Sequence, residues 1–207
     1  LEEGAATPAT GREMVAAEGA AAEAAITAEA AAKAARRAVA RRKVIAACTD
    51  AKCPMVEGAT VAAEDLYTGD SFTYMQRQIL ESDAELGAII SAKHGVLDPA
   101  ELVGAYDKKL PAQESLKLVE GPEQLRKFVA LVGDAEELFF YGPGKYRMLM
   151  MNLFDRARRG GLLGQNVRVV HPTGTGKAGG ARGAGEIKQS LGNWAGKAQP
   201  STARTAT

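Results

Sequence analysis

The sequence has little of what holds very small or extracellular domains together. Its 207 residues include only two cysteines, Cys48 and Cys53, so no disulfide framework can support the fold and we expect a reducing, cytoplasmic setting. Only two residues are histidines and 5% are aromatic. Candidates for a catalytic or metal-binding imidazole are therefore few.

Charge of one sign and long apolar runs are also lacking. Lys and Arg total 26 against 25 Asp and Glu, a net charge of +1, which excludes a purely electrostatic nucleic-acid binder as a description of the whole chain. No apolar run approaches the roughly 18–20 residues that span a bilayer. We predict no membrane partner, and the absence of a basic segment followed by an apolar one predicts no secretory signal.

Alanine dominates the first of three segments, residues 1–42. Eighteen alanines fall within residues 1–40, with glutamates early and Lys33, Arg36 and Arg37 late. This composition and charge order favour a helix, but large apolar side chains are too sparse for a core-building face. The segment is predicted to be a solvated helical arm or linker; alternatively, its alanine faces pack on a partner and form a homo-oligomer or larger assembly.

The second segment, residues 43–170, carries the signals of a globular α/β domain. Near-continuous apolar runs separated by helical stretches predict a mainly parallel sheet of four or more strands, covered by helices on both faces. The predicted strands are 43–48, 86–91, 137–141 and 166–170, and the predicted helices are 71–81, 121–132 and 145–159.

The third segment, residues 171–207, is predicted to be a Gly-rich basic tail. It contains eight glycines, and from Arg156 to the end there are nine Lys and Arg against one acidic residue, Glu186. Few large apolar residues remain, so we expect the last dozen residues to be poorly ordered.

Cationic residues follow every predicted strand. Ligands of open α/β sheets bind beyond the carboxyl ends of the strands, so these exits form the candidate site. Lysines with exposed backbone N–H groups in one crevice suit an anionic ligand. The exits contain Lys52 after the first strand, Lys93 and His94 after the second, Gly142, Gly144 and Lys145 after the third, and His171 and Lys177 after the fourth.

Known phosphate and metal motifs are not matched. Gly176-Lys177 is followed by Ala178 rather than Ser or Thr, and Gly142-x-Gly144 lacks a third glycine, so neither a P-loop nor a dinucleotide fingerprint is present. The two cysteines and two histidines have no familiar zinc spacing. We predict no metal site and no cofactor.

Cys48 and His94 are the residues most suited to chemistry. Cys48 either ends a buried strand as a small hydrophobe or acts as a nucleophile beside Lys52 and His94. His94 is either a packed histidine or an acid or base near neutral pH, since Lys93 lowers and Asp98 raises an imidazole pKa. Asp65 and Asp107 are candidate carboxylate partners or simple cap residues.

Three segments together resemble a known family. Residues 63–72 (AEDLYTGDSF), 90–99 (ISAKHGVLDP) and 105–110 (AYDKKL) look like a widespread bacterial and phage domain of unknown function, itself similar to the YaaA-like peroxide-stress proteins. The resemblance covers about residues 43–150. Two positions depart from the family pattern: Asp50-Ala51-Lys52 keeps one lysine of Lys-x-Lys, and Ala105 stands where Pro is common.

The resemblance implies a link to nucleic acids. YaaA-like proteins are associated with DNA binding and protection from oxidative damage, and their phage relatives accompany base-modification and nucleotide-handling systems. A relation to DNA-glycosylase-type folds has been suggested. We therefore expect nucleotide or DNA as the partner.

Two hypotheses about function follow. In the first, the domain is an enzyme acting on a nucleobase or nucleotide, by glycosidic-bond or base-modification chemistry. In the second, it is a non-catalytic DNA-binding or phage-type assembly protein with the basic tail on phosphates. The first assigns catalysis to His94, Lys93, Asp98 and Asp107, and substrate binding to Cys48, Lys52, Tyr67, Tyr106, Tyr141, Gly142, Gly144, Lys145 and His171.

Overall fold

A computed structural model describes residues 41–107, 116–170 and 184–196, together with Thr27, Ala28 and Ala31. The chain divides into two compact units, residues 1–39 and residues 40–207. In the first unit, Thr27, Ala28 and Ala31 are helical. The rest of the predicted helical arm lies outside the described residues.

The second unit is built on a five-stranded sheet. In spatial order, its strands are β4 (Gly95–Leu97), β3 (Ala84–Ser91), β1 (Arg42–Ala47), β6 (Glu137–Tyr141) and β7 (Arg168–Val170). All neighbours are parallel except β3 and β4. A separate antiparallel pair joins β2 (Thr60–Ala62) to β5 (Leu102–Gly104). The mainly parallel α/β fold is confirmed, while β2, β4 and β5 are additional to the predicted strands.

The central strands are apolar along their whole length because both faces of the sheet are covered. Every residue of β1 and β3 is buried. Side chains alternate between the faces, so Ile45 and Ala47 enter one core and Val44 and Ala46 the other.

In the described part of the second unit, six helices form the outer layers. Phe128, Leu149 and Leu153 fill the first core, and Leu66, Phe72 and Leu191 the second. No helix in the described part of the chain is long and apolar enough to cross a membrane. The first layer contains α3 (Lys117–Glu120), α4 (Pro122–Val132) and α5 (Gly144–Arg159), and the second contains α1 (Ala63–Leu66), α2 (Asp70–Leu80) and α6 (Ala184–Ala195).

The strand order creates a switch point between β1 and β6. From β1 the chain passes through α2 to β3 on one side, and later returns through α4 to β6 on the other side. Crossovers that leave in opposite directions open a crevice at the carboxyl ends of the two central strands. Cys48 and Gly142 directly follow those two strands.

The helix α6 lies inside the segment predicted to be a tail. Its apolar residues Ile187, Leu191 and Trp194 are spaced as one helical stripe and are buried. The Trp194 ring lies 5.2 Å from that of Phe139 and its indole N–H donates to Glu137 at 3.0 Å. This helix was not predicted because its flanks are glycine-rich and its apolar residues are few. Residues 197–207 lie outside the described part.

Candidate functional site

Three hydroxyl groups meet at the carboxyl edge of the sheet. Tyr106 Oη lies 2.7 Å from Ser91 Oγ and 2.8 Å from Tyr67 Oη. Ser91 is the last residue of β3, Tyr67 follows α1, and Tyr106 follows β5. The β2–β5 pairing therefore brings the two tyrosines to the end of a central strand. We call Tyr67, Ser91 and Tyr106 the hydroxyl cluster.

The turn from β3 to β4 wraps around Ser91. The backbone N–H groups of Lys93 and His94 each donate to Ser91 Oγ at 3.1 Å. Gly95 closes the turn at φ 72°, a conformation that favours glycine. A Cβ atom there would clash with Gln124 Oε1, which accepts the Val96 N–H at 2.6 Å.

Two lysines and a histidine surround the Tyr106 ring. Lys52 Nζ lies 4.6 Å and Lys93 Nζ 5.5 Å from the ring centroid. The His94 ring meets Tyr106 edge-on at 5.3 Å. Cations near an aromatic face are attracted by its quadrupole, so positive charge gathers beside the hydroxyl cluster.

Backbone pairing fixes the position of Lys52. Lys52 and Tyr67 form an isolated antiparallel bridge. On either side of it, the Cys53 N–H donates to the Leu66 carbonyl at 2.8 Å and the Thr68 N–H to the Ala51 carbonyl at 3.1 Å. The loop after β1 is therefore tied to the end of α1.

The surroundings of His94 favour its neutral form. Burial lowers its pKa most, the Lys93 ammonium lowers it further, and Glu101 only partly opposes this. Its Nε2 atom is buried and has no hydrogen-bond partner among the described residues. A neutral imidazole with an unpartnered nitrogen can accept or donate a hydrogen bond to a ligand.

The tyrosines at this edge remain protonated. Burial raises the pKa of Tyr67 to about 12 and also raises the pKa of Tyr106 and of Tyr146, with the nearby Cys48 adding to each rise. At neutral pH these phenols are hydrogen-bond donors rather than anions.

Cys48 lies at the switch point. Its sulfur is 3.2 Å from Tyr146 Oη and its N–H donates to the Ile90 carbonyl at 3.0 Å. The partly buried side chain packs against both cores. Both cysteines are free thiols.

The structure brings together six of the residues singled out in the sequence. They are Cys48, Lys52, Tyr67, Lys93, His94 and Tyr106.

Two other predicted residues, Tyr141 and Asp98, make hydrogen bonds outside this group. The Tyr141 hydroxyl donates to the Ser71 carbonyl at 2.9 Å, toward the start of α2. Asp98 accepts the Ala100 N–H at 2.8 Å and so shapes the turn after β4. Asp107 is exposed.

The Gly142-Pro143-Gly144-Lys145 segment forms the turn into α5. A Cβ at Gly142 would lie 2.6 Å from that of Ala47, whereas Gly144 faces open space. Lys145 is exposed, with Nζ 5.8 Å from the Tyr146 ring centroid. His171, the last predicted site residue, lies outside the described residues.

Sequence reasoning missed Ser91 and Tyr146. Both had a signal: Ser91 ends a predicted strand within the Ser91–Pro99 block, and Tyr146 directly follows Lys145 in the third strand exit. Across the described ranges, no group of three or more His, Cys, Asp or Glu could hold a metal ion.

The structure therefore shows a mainly parallel α/β sheet with a polar cluster at the carboxyl edge of its strands. Residues 44–160, more than half of the chain, match the family of unknown function DUF6884, and the chain belongs to that family. Comparison of this chain with curated proteins and with solved structures found no significant match.

Proposed function

We propose that this protein binds a nucleotide, or a nucleobase within DNA, at the carboxyl edge of its sheet and acts on it. One observation carries the proposal: Lys52 and Lys93 both approach the half-buried Tyr106 ring beside the hydroxyl cluster. Cations suit the phosphates of such a ligand and an aromatic face suits its base.

The same residues provide groups for base-modification or glycosidic-bond chemistry. In this proposal, His94 takes a proton from water and the Lys52 ammonium stabilises negative charge on a departing base. Hydrolysis of a glycosidic bond commonly uses such a pair of functions, one for the water and one for the leaving group. The YaaA-like resemblance of residues 43–150 supports the same class of substrate.

Isothermal titration of the full chain with nucleoside 5′-monophosphates and a single-stranded oligonucleotide tests this proposal. Lys52→Gln should weaken binding roughly tenfold or more, because a charge-assisted contact is lost. Lys188→Gln is the matched control, because Lys188 is likewise a lysine close to a tyrosine ring. Its Nζ lies 5.3 Å from the ring centroid of Tyr74, on the α2–α6 side. The control should bind as the wild type does.

Two results would contradict the proposal. One is the absence of binding to every nucleotide and to the oligonucleotide. The other is oligonucleotide binding that is unchanged in Lys52→Gln but is abolished in the double variant with Lys177→Gln and Arg182→Gln. The second result would identify the protein as a DNA binder that uses its basic 171–207 segment, with affinity falling steeply as salt rises.

A further inference from the structure

The turn that carries Lys93 and His94 is held by side chains at both of its ends. At its start, Ser91 Oγ accepts the backbone N–H groups of Lys93 and His94 at 3.1 Å. At its end, Gln124 Oε1 accepts the N–H of Val96 at 2.6 Å. Ser91 belongs to β3, whereas Gln124 comes from α4 in the first helix layer. The turn is therefore fixed by two different elements of the fold.

Gln124 pairs a backbone group that the sheet does not use. β4 is the outermost strand of the described sheet, and Val96 lies opposite Ile90 of β3 on its inner side. In an antiparallel pair, every second residue directs its N–H away from the partner strand, and Val96 directs its N–H to Gln124. An N–H group on the outer edge of a sheet otherwise faces water or another chain. Gln124 thus takes the place of a neighbouring strand at this position.

The side chain of Gln124 fits closely against the turn. Gly95 adopts φ 72°, and a Cβ atom at this position would clash with Gln124 Oε1 and lie 3.0 Å from the carbonyl oxygen of Leu118. Leu118 belongs to α3, the short helix before α4. A turn enclosed in this way by two helices has little freedom to change direction. The amide of Gln124 therefore also determines where the side chains of Lys93 and His94 lie.

Lys127 ties the other end of β4 to the same helix. Lys127 pairs with Glu101, and the Glu101 carboxylate also accepts the N–H of Asp98 at 3.2 Å. Residues three apart lie on the same face of a helix, so Gln124 and Lys127 hold β4 from one side. The Lys127–Glu101 pair is partly exposed, and such pairs contribute little. Gln124, which bonds directly to the backbone of β4, is the stronger of the two connections.

We infer that Gln124 is a positioning residue, which holds the β3–β4 turn through the N–H of Val96 so that Lys93 and His94 face Tyr106. Lys93 Nζ lies 5.5 Å and the His94 ring centroid 5.3 Å from the Tyr106 ring centroid. The expected effect on nucleotide binding rests on the proposed function. The expected effect on His94 requires no ligand.

Lys52 provides an internal comparison. It approaches Tyr106 as Lys93 does, but it is positioned by its bridge to Tyr67, in a loop with no printed bond to Gln124. Loss of the Gln124 amide should therefore displace Lys93 and leave Lys52 in place.

NMR titration of the His94 ring in the ligand-free full chain is the first test. Gln124→Met keeps the length of the side chain and removes its amide. The turn should loosen, so that His94 becomes better hydrated and more distant from the Lys93 ammonium, and its pKa should rise toward 6.5. Tyr74→Phe is the control, since it removes a bond to the Lys188 carbonyl between α2 and α6. It should leave the pKa of His94 unchanged.

A double-mutant cycle with a nucleoside 5′-monophosphate is the second test. Gln124→Met should weaken binding roughly three- to tenfold, and Gln124→Glu, which keeps an oxygen acceptor, should restore it. Lys93→Gln should cause a smaller further loss in Gln124→Met than in the wild type, because Lys93 is already displaced. Lys52→Gln should cause the same loss in both backgrounds.

The outcomes separate this inference from the proposed function. An unchanged pKa of His94 in folded Gln124→Met, or equal losses from Lys93→Gln in both backgrounds, would overturn the inference alone. A raised pKa of His94 without any nucleotide binding by the wild type would support the inference and contradict the proposed function. If Gln124→Met does not fold, amide hydrogen exchange of the wild type decides. Protection of the Val96 N–H would support the inference, and exchange as fast as that of an unstructured amide would overturn it.

Discussion

The Cys48 sulfur lies 3.2 Å from the Tyr146 hydroxyl, and this contact joins the end of β1 to the first turn of α5. The two residues stand on opposite sides of the switch point between β1 and β6. Because burial raises the pKa of Tyr146, its phenol keeps its proton and can donate to the sulfur of Cys48.

This contact predicts how Cys48 reacts. In a Cys53→Ser background, Tyr146→Phe should slow alkylation of Cys48 by iodoacetamide, because the reacting thiolate loses a hydrogen-bond donor. The measurement is the alkylation rate between pH 6 and 9, with Tyr74→Phe as the control. Faster alkylation of Tyr146→Phe would show instead that the phenol only shields the sulfur.

The two glycines of the β6–α5 turn should differ sharply in their tolerance of a side chain. Gly142→Ala places a Cβ 2.6 Å from that of Ala47, an overpacking expected to cost roughly 1–3 kcal/mol of unfolding free energy. Gly144→Ala meets open space and should change the unfolding free energy by less than about 0.5 kcal/mol. Urea unfolding of the two variants checks this, and equal effects would contradict the packing described for Gly142.

The helix α6 should be an integral part of the α/β unit. Trp194 packs against Phe139, and the Arg42 guanidinium lies 4.2 Å from its ring centroid. Trp194→Ala is expected to lower the unfolding free energy by roughly 3–5 kcal/mol. Val56→Ala, at a position 81% exposed, is the control. A loss for Trp194→Ala no larger than that of the control would mean that α6 contributes nothing to the fold.

His94 should make the stability of the protein depend on pH. Its pKa is lower in the folded state than the ordinary value of 6.5, so below that value the unfolded chain binds more protons than the folded one. The contribution of His94 to the unfolding free energy is therefore fully present above pH 6.5. It is lost as the pH falls through the folded-state pKa. The dependence attributable to His94 should disappear in His94→Gln.

Urea unfolding of the wild type and His94→Gln at pH 5.5 and 7.5 measures this difference. The free energy of the wild type should fall more than that of the variant on acidification. A parallel fall in both proteins would show that His94 has the same pKa in the folded and unfolded chain.

The sequence predicted the sheet better than the connections around it. β1 and β3 could be predicted because a parallel strand covered on both faces is apolar throughout. β2, β4 and β5 have three residues each, too few for an alternating pattern to stand out. The antiparallel β2–β5 pair, which brings Tyr67 and Tyr106 together, therefore could not be predicted from hydrophobic periodicity.

The candidate site was predicted in outline but not in its contacts. The rule that ligands bind at strand exits located Cys48, Lys52 and His94. The same rule grouped Tyr141 with these residues. Alternation along β6 instead turns Tyr141 toward the core that contains α2. Hydrogen bonds such as Ser91 to Tyr106 depend on loop geometry that apolar patterns do not encode.

Amide chemical-shift mapping with a nucleoside 5′-monophosphate tests the central claim most directly. Spectra of the full chain report every backbone N–H, including those of residues 171–207, so the two hypotheses about the binding region are compared in one titration. We predict saturable shifts at Lys52, at residues 91–95 and at Tyr106, all lost in Lys52→Gln. Shifts confined to residues 171–207, with the carboxyl edge of the sheet unchanged, would contradict the account.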